Sequence, residues 1–209
     1  METKTCGDQR IVLHNVSWET YERLMQERSE SRVPRFAYDR GVLEIMSPSP
    51  KHVRANRRMA QLVLAVCEVW ELDAEDFGST TYKREDVERG FEPDSCFYIE
   101  NEPLVRDKDR LDLDVDPPPD LVIEIDVTSF SMNKLPLYAS IDVPEVWRYE
   151  DAEIEILLLD GGSYRKSPES KCLSGIGAGT LTDLMRKSKI LRRTEWLKQI
   201  REAAREARG

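Results

Sequence analysis

Three acidic side chains in two short stretches carry the clearest chemical signal in this chain: Asp94 in Gly90-Phe91-Glu92-Pro93-Asp94, and Glu124 with Asp126 in Asp120-Leu121-Val122-Ile123-Glu124-Ile125-Asp126. Leu121 to Val127 reads as a buried strand of branched apolar residues, in which positions 124 and 126 point to one face. Two carboxylates side by side on such a strand need compensation for their charge. A hard divalent cation such as Mg2+ supplies it, because it takes oxygen ligands, keeps several waters and leaves room for a phosphate. The chemistry indicated is metal-dependent phosphodiester hydrolysis. The plainer alternative places the acids at the open end of the strand, solvated or paired with arginines, since structural ion pairs also occupy such places.

Lys134 stands ten positions beyond Glu124, in Ser131-Met132-Asn133-Lys134-Leu135-Pro136-Leu137-Tyr138-Ala139-Ser140. That segment reads as a helix entered directly after the strand, with Pro136 tolerated in its first turn. A short loop can fold Lys134 back over the strand end, where an ammonium would orient a water and offset phosphate charge in the transition state. Its bland counterpart is a solvated lysine at a helix start.

The ordered series Gly90-Phe91-Glu92-Pro93-Asp94, Pro119 to Glu124, Asn133 to Tyr138, and Asp142-Val143-Pro144-Glu145-Val146-Trp147 resembles the Uma-two restriction endonuclease family of the PD-(D/E)XK nuclease superfamily. Leu43 to His52 is similar to that family's early hairpin-to-helix segment, so the resemblance runs from about Val16 to about Tyr164. It implies Asp94 as the first metal ligand and Glu124 as the second, with the backbone carbonyl of Ile125 completing the inner shell. Asp126 would bind a second metal or act through a water. The superfamily's lysine, two positions after the acid, is replaced here by Asp126. Lys134 matches a lysine that the family carries on the following helix, which makes it the candidate to position the nucleophile. His52, Arg54 and Arg58 are weaker candidates for substrate contact, with a satisfied helix-start histidine and a solvated helix face as the alternatives.

The elements that must position these residues can be read from spacing. Ser17 looks like an N-cap, with Val16 and Tyr21 as a hydrophobic staple, for a helix to about Glu27. Phe36 to Tyr38 and Val42 to Met46 flank a glycine-containing turn, which is a hairpin signal. Ser47-Pro48-Ser49-Pro50 opens a helix in which Met59, Leu62, Val63, Val66, Cys67 and Trp70 recur at helical spacing. Strands are expected at 74–77, 80–83, 95–99, 145–149 and 153–159, with a return at 163–166 after Gly161-Gly162. Residues 100–120 read as an irregular excursion ending in three prolines. The chain is read as one domain over 1–209, with a polar N-terminal tail at 1–9 and an amphipathic C-terminal helix at 194–208.

Composition sets the outer bounds. With 209 residues and 40% hydrophobic content, the chain can bury a sizeable core. No apolar run approaches the ~20 residues that span a bilayer, and no hydrophobic signal core is evident, so a cytoplasmic protein without a membrane partner is expected. Its four cysteines, Cys6, Cys67, Cys96 and Cys172, show no Cys-x-x-Cys spacing and indicate neither zinc nor a disulfide framework. The net charge of −9 argues against a general nucleic-acid coat. Acids around a metal remain compatible with it, because basic residues elsewhere can still hold the backbone.

The combined reading is an α/β, restriction-endonuclease-like domain with a mixed central sheet flanked by helices. Its function is Mg2+-dependent endonuclease cleavage, with Mn2+ as a substitute and DNA as the favoured partner. Backbone hydrolysis uses the same carboxylates on DNA and RNA, so the residues leave that choice open. A second copy of the chain is a further partner considered. The competing class is an inactive binding or assembly module of the same fold, which the displaced lysine and the acidic charge both favour.

Overall fold

The computed structural model describes residues 7–28, 33–126 and 132–209. Cys6, Val127 and Ser131, which the sequence readings touch, lie outside the described residues. Strand β1 (Gln9–Leu13) starts at the last residue of the expected polar tail and runs through a segment to which the sequence reading assigns no element. It sits at a sheet edge with Ile11, Val12 and Leu13 all exposed, so the alternation that marks a half-buried strand is missing from its sequence. Helix α1 (Trp18–Glu27) starts at Ser17, whose hydroxyl accepts the Thr20 N–H at 3.2 Å.

Strands β2 (Arg35–Asp39) and β3 (Val42–Ser47) form the expected hairpin. Arg40 and Gly41 take positive φ of 43° and 92° at its turn. Helix α2 (Pro50–Trp70) is capped by Ser49 and opened by Pro50, a residue whose missing N–H costs nothing at a first helical position. Four short strands follow: β4 (Glu75–Asp76), β5 (Tyr82–Arg84), β6 (Arg89–Phe91) and β7 (Ser95–Tyr98). A Cβ at Gly90 would strike the Tyr21 ring, so the glycine lets α1 close onto β6.

Helix α3 (Glu102–Val105) is the regular part of the excursion before β8 (Leu121–Asp126). The helix carrying Lys134 is shorter than the sequence reading: α4 (Leu135–Ala139) begins one residue after it. Strands β9 (Glu145–Glu150), β10 (Glu153–Asp160) and β11 (Ser163–Ser167) then form an antiparallel group. Helices α5 (Ala178–Lys187) and α6 (Arg193–Arg208) end the chain.

The central sheet is mixed, in the order β11-β10-β9-β8-β7-β4, with β8 and β9 parallel and its other pairs antiparallel. A second, antiparallel sheet, β1-β3-β2-β6-β5, is a feature the sequence pattern did not announce. Its β5 overlaps the strand expected at 80–83, whereas β6, three residues long, is too short to show a period. One face of the central sheet packs on α2, α5 and α6 around Trp147, Trp196, Leu62 and Ile200. The other packs on α4 and β6 around Val146, Leu137, Tyr138 and Phe91.

Alternation along β8 divides it between these layers: Leu121, Ile123 and Ile125 join the first core, and Val122 joins the second. Glu124 and Asp126 follow Val122 onto the second face, where the core gives way to a cleft. Each buried Leu, Ile or Val contributes roughly 1.5–3 kcal/mol, so the four in β8 outweigh the cost of holding two acids at its end. Among the described residues no helix is long and apolar enough to cross a membrane.

Candidate functional site

Asp94 lies just before β7 and is 1% exposed. Its Oδ2 accepts the Ile125 N–H at 2.7 Å, which ties it to the residue following Glu124. His52 Nε2 meets its Oδ1 at 2.7 Å, and the Arg35 guanidinium presses on the same oxygen. Burial pulls the Arg35 pKa below the usual arginine value, while Glu124 and Glu92 work to raise it. The Asp94 main-chain carbonyl also accepts from Asn56 Nδ2 at 2.8 Å, which anchors the residue to α2.

Glu124 lines the same cleft as Asp94, Asp126 and Lys134, a space of about 410 Å3. Lys134 Nζ donates to Glu124 Oε2 at 2.9 Å, with its side chain 7% exposed. It is therefore no solvated helix-start lysine. The Tyr138 hydroxyl donates to the other Glu124 oxygen. Burial first, and the Glu124 charge second, hold that phenol well above its ordinary pKa, so it is a donor throughout the physiological range. Asp126 Oδ1 is buried with no hydrogen-bond partner among the described residues.

The first turn of α2 supports Asp94 from behind. Asp8 Oδ1 accepts the Ser49 N–H at 2.8 Å, and its Oδ2 meets His52 Nδ1 at 3.0 Å. Both nitrogens of His52 thus face carboxylates, Asp8 through Nδ1 and Asp94 through Nε2. Burial raises the Asp8 pKa, but the bonds from His52 and Ser49 prevail and hold it well below the usual carboxylate range.

Asp94, Glu124, Ile125, Asp126 and Lys134 all line one cleft. His52 is fully buried behind it, so its contact is with Asp94. Arg54 is exposed and Arg58 half-buried on α2, and neither lines the cleft. Sequence reasoning passed over Asp8, Arg10, Arg35 and the role of Tyr138. Tyr138 had a signal, since it follows Lys134 by four positions and shares its helix face. The other three come from strand β2 and the chain around β1, with no local pattern linking them to Asp94.

Among the described residues no group of three or more His, Cys, Asp or Glu is arranged as a ready-made metal site. Mg2+ does not require one, because it is usually held by one or two carboxylates and keeps its waters. The donors fit it: hard carboxylate oxygens of Asp94 and Glu124, with the orphaned Asp126 Oδ1 beside them. Asp94 is already engaged at both oxygens, Oδ1 by His52 and the Arg35 guanidinium and Oδ2 by the Ile125 N–H, so an ion there would share the carboxylate with them.

The fold and this cleft define a mixed α/β protein of restriction-endonuclease-like architecture. The chain belongs to the Uma2 family, described as "Putative restriction endonuclease", whose model matches residues 18–171. Among solved structures it is similar to the crystal structure of a "putative nuclease belonging to DUF820" from Anabaena variabilis ATCC 29413. That similarity has a TM-score of 0.52 at 15% identity and covers 81% of this chain and 99% of the other, which speaks to the fold. No curated protein matches this chain.

Proposed function

We propose that this protein is a metal-dependent endonuclease that hydrolyses phosphodiester bonds of nucleic acid, with DNA as the favoured substrate. The observation that carries this reading is the meeting of Asp94, Glu124 and Lys134 in one cleft at the end of β8. Membership of the Uma2 family supports it. Asp94 and Glu124 would hold Mg2+, or Mn2+ in its place, with the Ile125 carbonyl as a further ligand. Bound there, the ion would act as a Lewis acid on the phosphate and lower the pKa of its water.

The chain's own groups would do the rest. Lys134 Nζ, now on Glu124, would turn toward the attacking water and the phosphoryl oxygens, where charge develops. Tyr138 would keep Glu124 oriented through its hydroxyl, and His52 with Arg35 would fix Asp94. Asp126 would hold a water through its unsatisfied oxygen.

One observation favours the second reading, a binding or assembly module. Lys134 already neutralises Glu124, and His52 with Arg35 already surrounds Asp94, so the acids are compensated without an ion. Metal-dependent melting separates the two readings. A nuclease should be stabilised by Mg2+ or Mn2+ as RT ln(1 + [L]/Kd), about 2.7 kcal/mol at a hundredfold excess over Kd, and the gain should vanish in Asp94→Asn with Glu124→Gln. The same protein should nick supercoiled plasmid with metal and not with chelator. No cleavage of plasmid, linear duplex, single-stranded DNA or RNA under either metal would leave the module reading in its place.

A further inference from the structure

Strand β1 precedes the segment that the family model matches, which begins at residue 18, yet it reaches the cleft. Arg10 lines that cleft with a side chain only 11% exposed. Its Nε–H is buried and has no hydrogen-bond partner among the described residues. Its two terminal nitrogens sit 3.4 Å from Glu44 and 3.5 Å from Asp8, both beyond the usual 2.7–3.2 Å of an N–H···O bond.

Neither carboxylate is idle. Glu44 Oε2 accepts the Met132 N–H at 2.8 Å, and Asp8 holds Ser49 and His52. The other cations of the cleft are more firmly engaged: Lys134 with Glu124, and Arg148 with Glu155. A buried donor without an acceptor is a cost to folding, so a guanidinium kept at this place is better explained by an acceptor that arrives with substrate.

We propose that Arg10 is a substrate-binding residue, whose guanidinium takes the non-bridging oxygens of a backbone phosphate in nucleic acid drawn into the cleft beside Asp94 and Glu124. The proposal rests on the nuclease reading for its substrate class. A planar fork of donors matches a phosphate in two bonds, which an ammonium cannot do. Strand β1 thereby completes the site, with Asp8 and Glu44 aiming the side chain.

Binding measured without cleavage tests this. Fluorescence anisotropy with a labelled DNA duplex and a labelled single strand, in chelator and over a series of KCl concentrations, compares the parent with Arg10→Ala, Arg10→Gln and Arg10→Lys. Arg84→Ala, at an exposed pair with Asp86 on β5, serves as the control. Arg10→Ala and Arg10→Gln should weaken binding by about tenfold, the size of one hydrogen-bonded charge contact, and lower the salt slope by about one. Arg10→Lys should keep the slope and recover only part of the affinity, and it guards against misfolding because it retains the charge that faces Glu44 and Asp8. In plasmid cleavage the loss should fall on KM more than on kcat.

Arg10 variants that bind with the parent's affinity and slope, in folded protein, overturn the proposal even if plasmid is cut. Binding that depends on Arg10 without any cleavage upholds it and removes the nuclease reading instead. A parent that binds neither duplex nor single strand overturns it as well.

Discussion

Replacing Lys134 by Ala removes a cation that the structure holds 2.9 Å from Glu124 Oε2, in a side chain 7% exposed. Two effects of different size should follow. If the ammonium stabilises developing charge, its loss should cost about 10²–10³ in kcat, or roughly 2.7–4 kcal/mol, as for one preorganised donor in a water-poor site. For folding, stripping one partner from a buried ion pair costs about 3–5 kcal/mol in the general case. Glu124 keeps its bond from Tyr138 and a side chain 17% exposed, so water reaches it and the expected loss is smaller. About 1–3 kcal/mol, the range for a single unsatisfied polar group, is the expected value.

The assay is single-turnover nicking of supercoiled plasmid in Mg2+, with urea unfolding and metal-dependent melting run on the same preparations. Lys134→Ala should melt cooperatively and still be stabilised by metal, because no ligand is lost. Lys134→Arg should also cleave poorly, since a planar guanidinium does not replace a compact charge. Turnover in folded Lys134→Ala equal to the parent's refutes the assignment and leaves Lys134 as the structural partner of Glu124.

Asp8 has a native pKa well below that of the unfolded chain, so its bonds to His52 and Ser49 add stability above the ordinary aspartate value of ~3.9 and lose it as pH falls below that value. Urea midpoints between pH 3 and pH 6 should therefore fall less steeply with acid in Asp8→Asn than in the parent, and parallel curves would count against the bonds. Glu92 is 2% exposed and accepts from Arg28 at 2.7 Å, the Phe36 N–H at 2.8 Å and Thr81 at 2.7 Å, joining α1, β2 and the segment before β5. Glu92→Ala should cost about 3–5 kcal/mol, because it leaves a half-buried guanidinium and a buried N–H without their acceptor. A loss under 1 kcal/mol in urea unfolding would show that this network is not a structural staple.

What the sequence determined by itself was local. Ser17 and Ser49 with Pro50 announced helix starts because capping acts within a few residues. Arg40-Gly41 announced a hairpin because its turn needs positive φ. The acid spacing at 124 and 126, on a strand of branched apolar residues, marked the end of β8 because the period of a strand fixes which side chains share a face. The ordered motifs around Asp94, Glu124 and Lys134 pointed to the family in the same way, and the cleft contains all three.

Tertiary structure decided what those residues meet. Strand β1 is stable only as the edge partner of β3, and three exposed apolar residues in a row give no pattern from which to infer it. Strand β6 owes its existence to pairing with β2 on one side and β5 on the other, and helix α5 lies where the sequence reading places no element. The clasp of Asp8, His52, Arg35 and Asp94 joins positions that are dozens of residues apart in the chain. A charge and its partner at such separations leave no trace in local propensity, because their energy is set by distance and burial in the folded chain.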